Sequence, residues 1–219
     1  MGNIFSPDSK LMQILSRVAD VLILNVLFFV SCLPVVTIGA AATAMYSVCF
    51  RWNTDTEGGL LKDYWRGFRS NFKQATIIWL LILATVVICC VDLFAAEKYG
   101  GIFAKFTIVF QIVLVVTGIV AGYVFPTLSR YHNTVKQTLK NALLLSLSYL
   151  WRTIAITVLN FLPLLALLLD TSLFIKLCPL MATVYFSGTA YIIRQVLTPI
   201  YSEQESKTST EYAERNHEV

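Results

Sequence analysis

Five stretches of the chain carry no Asp, Glu, Lys or Arg: residues 21–50, 74–91, 106–129, 153–169 and 177–193, of 30, 18, 24, 17 and 17 residues. A bilayer core about 30 Å thick takes roughly 17–25 apolar helical residues, so most of these runs are long enough to cross it. Only 14% of the 219 residues are charged and 57% are apolar, against about 25% and 45–50% in soluble domains. The pattern excludes an ordinary soluble enzyme. It predicts an all-α, polytopic membrane helix bundle: one transmembrane domain over residues 1–200, followed by a tail over 201–219.

The charges between the runs orient them. Arg51, Lys62, Arg66, Arg69 and Lys73 precede the second run, and Arg130, Lys136 and Lys140 follow the third. Both clusters belong in the cytoplasm by the positive-inside rule. Asp92 and Glu97 balance Lys98 and Lys105 between them, which suits the outside. The first 20 residues hold Asp8, Lys10, Arg17 and Asp20 before any long apolar run, unlike a cleavable signal peptide. Cys32, Cys49, Cys89, Cys90 and Cys178 lie in or beside apolar segments without Cys-x-x-Cys spacing, and read as small buried hydrophobes.

The first run is too long for one upright span and slightly short for two. Pro34 interrupts it, and a proline inside a helix forfeits a backbone hydrogen bond. The expected form is a hairpin: one helix from about Val18 to Leu33, then a second, capped by Thr37, from Gly39 to about Trp52. This gives six transmembrane helices with both termini cytoplasmic. One long kinked helix, giving five, is the alternative. Residues 201–219 are rich in Ser, Thr and Glu, and such a composition favours a disordered cytoplasmic tail. Without it, 15 basic residues face 8 acidic ones, an excess that topology and anionic lipid explain without nucleic acid.

Two short segments repeat at an offset of 67: Tyr64-x-x-x-Phe68-Arg69-x-x-Phe72-Lys73-Gln74-Ala75 and Tyr131-x-x-x-Val135-Lys136-x-x-Leu139-Lys140-Asn141-Ala142. Helical spacing puts Phe68, Phe72 and Ala75 on one side and Arg66, Arg69 and Lys73 on the other. Both read as short cytoplasmic interface helices feeding a span. Phe68, Arg69, Phe72, Lys73, Lys136, Leu139 and Lys140 then either rest on lipid or form a partner-docking surface.

The stretches Leu24-Asn25, Leu33-Pro34-Val35-Val36-Thr37-Ile38-Gly39-Ala40, Thr43-Ala44-Met45-Tyr46 and Phe68-Arg69-Ser70-Asn71-Phe72-Lys73-Gln74-Ala75 resemble signature stretches of the YesL family. These are integral membrane proteins of Gram-positive bacteria classed as a domain of unknown function. The resemblance runs from Phe5 to about Tyr201 and is strongest over the first third. It implies a genomic association with carbohydrate ABC-type uptake systems and their sensor kinases, and it supplies no catalytic residue, ligand or cofactor.

The remaining chemistry is sparse. No P-loop pattern and no His-Glu-x-x-His or Cys/His cluster is present, so neither nucleotide hydrolysis nor a metal site is expected. His132 and His217 stand alone, and Ser146, Ser148 and Ser187 lack a histidine partner. Arg152 either lies about 16 Å inside a span that starts near Asn141, paired with an acid such as Asp20, or sits with Trp151 at the membrane boundary. Gln137, Asn141, Ser148 and Arg152 recur at helical spacing as a polar stripe. Gly118 and Gly122 form a small-x-x-x-small pair, expected to meet the face of Gly39, Ala40, Thr43 and Ala44.

Two functions follow. One is a non-catalytic accessory or scaffold subunit in the cell membrane, bound to the permease of a carbohydrate ABC transporter. The other is a small autonomous transporter or channel with a polar path through Asn25, Thr37 and Arg152.

Overall fold

The computed structural model describes residues 10–52, 58–100, 102–131 and 133–217. Asp8 and His132 lie outside them, as do the side chains of Lys10, Lys105 and His217. Within the described residues every regular element is helical: α1 (Lys10–Cys32), a 3-10 turn (Val35–Thr37), α2 (Ile38–Arg51), α3 (Leu60–Tyr99), α4 (Ile102–Arg130), α5 (Val135–Ser148), α6 (Leu150–Leu169), α7 (Thr171–Leu180), a π turn (Met181–Tyr185) and α8 (Phe186–His217). Four helical stretches are long and apolar enough to cross a membrane: Leu11–Cys32, Leu60–Tyr99, Phe106–Arg130 and Leu150–Leu169.

Pro34 breaks the first run where the sequence says it should. The guanidinium of Arg17, early in α1, lies 5.1 Å from the ring of Trp52, just past the end of α2, so the two helices are antiparallel. Thr37 does not cap α2 with its side chain. Its hydroxyl turns back and donates to the carbonyls of Ser31 (2.6 Å) and Pro34 (2.7 Å). The Trp79 indole donates to the Val35 carbonyl at 2.8 Å. The break frees carbonyls that a helix would have used, and these three contacts satisfy them without water.

The hairpin's second helix is the core of the molecule. Ten of its 14 residues are buried, enclosed by α1, α3, α4 and α8. Small residues allow this. A Cβ on Gly39 would stand 2.6 Å from the Ala75 carbonyl and 2.7 Å from Trp79 Cβ, and one on Gly67 would stand 2.7 Å from Ser47 Cβ. Two glycines on opposite helices therefore let α2 and α3 pack backbone to backbone, which is how helices associate where lipid removes the hydrophobic drive.

Those contacts also fix relative heights. Gly39, at the top of α2, sits level with Ala75 and Trp79, yet α3 continues from Leu80 to Tyr99, about 30 Å further. Gly100, in the left-handed region at φ 61°, ends α3 as only glycine does cheaply, and α4 returns alongside.

Two expectations are corrected. The first expected interface helix is not separate: residues 64–75 are the opening turns of the 40-residue α3. The second is a helix of its own, α5, ended by a break at Tyr149; Arg152 is therefore in the first turn of α6 and not 16 Å inside a helix starting near Asn141. Residues 201–217 continue α8 as helix, with Tyr201 buried in the core and Glu203 and Glu205 bonded to the bundle.

Candidate functional site

Most of the paired charges lie at one end of the bundle. Asp63, almost wholly buried, receives Arg51 at 3.0 Å and Arg66 at 3.7 Å, and the Gly58 N–H donates to its other oxygen at 2.9 Å. Arg194 donates to the Trp52 carbonyl at 2.8 Å. Arg130 grips Glu205 through two bonds of 3.0 and 3.1 Å, with its guanidinium 5.8 Å from Phe50 and 5.4 Å from Tyr201. Tyr131 donates to Glu205 at 2.9 Å and Tyr149 to Glu203 at 3.0 Å. Glu205 is held below the ordinary carboxylate range chiefly by the Arg130 hydrogen bonds. Tyr131 is pushed up to about 12 by burial and then by the Glu205 carboxylate it bonds.

An open groove of about 700 Å³ lies at this end between α4, α5 and α8. Asn133, Asn141, Ser148, Tyr131, Gln204 and Glu205 contribute to its wall. Asn141 and Ser148 of the expected polar stripe thus share a surface, whereas Arg152 turns to the Tyr149 ring, 5.4 Å away. One Arg152 nitrogen is buried without a hydrogen-bond partner, and Asp20, its expected partner, pairs with Arg17 at 3.6 Å.

The expected docking residues divide. Phe72, Arg69, Lys73, Lys136 and Lys140 are exposed. Phe68 and Leu139 are half-buried against the core. Phe68 joins a ladder with Trp65 at 5.5 Å and Phe72 at 5.4 Å. Sequence reasoning missed Asp63 and Glu205. Asp63 carried a signal as the one acid between Lys62 and Lys73, which charge counting averages away, whereas Glu205 is one of five glutamates in its stretch and carried none.

Asn25 is fully buried. Its amide donates to the Met181 carbonyl at 3.4 Å and accepts from the Ser187 N–H at 3.1 Å and the Ser187 hydroxyl at 3.3 Å. The π turn loosens the helical ladder, and Asn25 supplies an acceptor and a donor for the groups it leaves. Asn25, Thr37 and Arg152 thus have different partners: Met181 and Ser187, Ser31 and Pro34, and the Tyr149 ring.

The glycine faces do not meet as expected. A Cβ on Gly118 would strike the Phe161 ring at 2.5 Å, and one on Gly122 would stand 3.2 Å from Ile156, so this pair faces α6. The face of α2 that would have met it is used on α3. Between α2 and the Gly118–Gly122 face lies instead a cavity of about 590 Å³, floored by Phe28, Met45 and Tyr46 and walled by α3, α4, α6 and α8. Among the described residues no three His, Cys, Asp or Glu side chains cluster as a metal site would require.

No curated protein and no solved structure matches the chain. Residues 21–93, a third of the chain running from α1 almost to the end of α3 and taking in the α1–α2 hairpin, match the model of a family described as a protein of unknown function, DUF624.

Proposed function

We propose that the protein is a non-catalytic accessory or scaffold subunit of the cell membrane that docks on another membrane protein through its basic, cytoplasmic end. The observation that carries this reading is apolar surface where charge dominates. Leu11, Ile14 and Leu15, before Arg17 in α1, and Leu61 and Trp65, at the start of α3, are about half exposed or more. Exposed apolar side chains rimmed by Arg and Lys mark interaction surfaces. The YesL resemblance supplies the partner class, the permease of a carbohydrate ABC-type importer.

The test is purification in mild detergent. A stoichiometric permease that is lost on Trp65→Ala or Leu15→Arg, with the protein still folded, supports the reading. A lone protein that moves solute in liposomes overturns it in favour of a small transporter or channel.

In this reading the basic end faces the cytoplasm, and α1 begins and α8 runs out on that side. The number of crossings then turns on the Pro34 tip. Val35 is bonded to Trp79, six residues past Lys73 and thirteen before Asp92, at the cytoplasmic edge of the uncharged run of α3. This favours a hairpin that enters and leaves by the same leaflet over six full crossings. A cysteine at Thr37, in a cysteine-free background, resists a membrane-impermeant maleimide from outside if so; efficient external labelling restores the six-helix count.

A further inference from the structure

We infer that the cavity above the α1–α2 hairpin is a binding site for one acyl chain of a bilayer lipid, a conclusion independent of the docking reading. Its walls lie at hydrocarbon depth. Ile82, Val86 and Cys90 fall between Lys73 and Asp92 on α3, and the contributions of α4 and α6 fall inside their own uncharged runs. Among the described residues no charged side chain lines it.

The polar side chains in its wall are few, and most are already bonded. Thr117 donates to the Val113 carbonyl at 2.7 Å, Asn160 to Ile156 at 2.9 Å and Thr189 to Phe186 at 2.9 Å. Each bond runs back along its own helix, which leaves a second Asn160 N–H, the Asn160 carbonyl and the Tyr46 hydroxyl as the polar atoms of the wall, too few to replace a hydration shell. A sugar or ion entering would shed hydration with little in return. Water gains nothing either, since apolar cavities of this kind stay dry. Hydrocarbon loses nothing on entry and fills the void with dispersion contacts.

Access is lateral. Cys90 on α3 and Leu164 and Phe161 on α6 line the space and are exposed, and an acyl chain would enter from the surrounding lipid between them. The size, about 590 Å³, falls within the roughly 300–1,000 Å³ of ligand pockets. The ring of Phe161, seated over Gly118, stands at that entrance.

The experiment uses full-length protein in phosphatidylethanolamine–phosphatidylglycerol vesicles doped with a phospholipid carrying a mid-chain diazirine, with adducts mapped by peptide mass spectrometry after illumination. Adducts on Met45 and Phe125, lining residues buried from the outer surface, are expected beside those on the outward Val115. Ala121→Phe, and separately Leu114→Phe, fill the space and abolish the Met45 and Phe125 adducts while leaving Val115 labelled, which also reports that the bundle is intact. Adducts confined to outward residues, or Met45 adducts that survive both fillings, overturn the assignment.

Discussion

Asn25 and Ser187 are 162 residues apart in sequence and joined by two hydrogen bonds in the core, through the Ser187 N–H at 3.1 Å and its hydroxyl at 3.3 Å. The backbone bond is the consequential one, because it occupies a donor beside the π turn, and a buried N–H left unpaired costs about 1–3 kcal/mol. Asn25→Leu is expected to lower thermal stability in detergent by that order. Ser187→Ala removes only the hydroxyl, keeps the N–H bond and should cost under about 1 kcal/mol. Equal losses in the two variants would show that the backbone bond contributes nothing.

Gly39 and Gly118 are both closely approached, but by different things. The Gly39 neighbours are the Ala75 carbonyl and the Trp79 Cβ, which move only if α2 and α3 separate; the Gly118 neighbour is the far edge of the Phe161 ring. Overpacking typically costs about 1–3 kcal/mol when the surroundings cannot yield. Gly39→Ala is expected at or above that range and Gly118→Ala below it, by differential melting of the purified protein. The reverse order would mean that the ring, and not the helix pair, is the rigid partner.

The same packing sets the crosslinking pattern. Cysteines at Gly122 and Ile156, in a cysteine-free background, should form a disulfide on mild oxidation. Pairs joining Ala40 to Gly118, which a direct contact between the two small-residue faces would bring together, should not. Strong Ala40–Gly118 crosslinking would reverse the assignment of helix neighbours.

Much of this architecture was legible in the sequence, and its limits are physical. Runs without charge revealed apolar helices because burying a charge in lipid is costly, and Pro34 marked the hairpin because it cannot continue the ladder. The boundary at Lys73–Gln74 was misleading: it records where the polar surface of α3 ends, while the helix itself continues unbroken. The contacts of the segment after Ile200 were hidden as well. Its glutamates argue for solvation by composition, but Glu203 and Glu205 fall within reach of Tyr149 and Arg130, a long-range coincidence that local composition does not encode. Which face of α2 meets which helix was equally hidden, since Gly39 and Gly118 carry the same small-residue signal toward different partners.

Arg152 offers a sharper contrast. Its guanidinium lies over Tyr149 at 5.4 Å, a contact worth roughly 0.5–1 kcal/mol at a partly exposed site, and among the described residues no carboxylate pairs with it. A buried ion pair would lose about 3–5 kcal/mol on removal of one partner. Arg152→Leu is therefore expected to shift the melting temperature only slightly. A large drop would reveal an acidic partner within reach of α6.

Glu205 makes the attachment of α8 to the end of α4 sensitive to acid. Its carboxyl is held below the ordinary value by Arg130, against partial burial, and by the Tyr131 hydroxyl. A carboxylate depressed on folding contributes stability that is fully present above its unfolded value of about 4.3 and is lost as pH falls through the folded value. The side chain is about half exposed, so solvent screening limits the effect to the attachment of this segment and leaves the bundle intact. A nitroxide on a cysteine at Ser209, whose hydroxyl bonds the Glu205 carbonyl and which lies beside the groove, should report restricted motion at neutral pH and faster motion near pH 3. Glu205→Gln, which keeps the shape and removes the charge, should bring that faster motion to neutral pH. A spectrum unchanged by both acid and the substitution would show that Tyr201, buried one turn earlier, holds the segment alone.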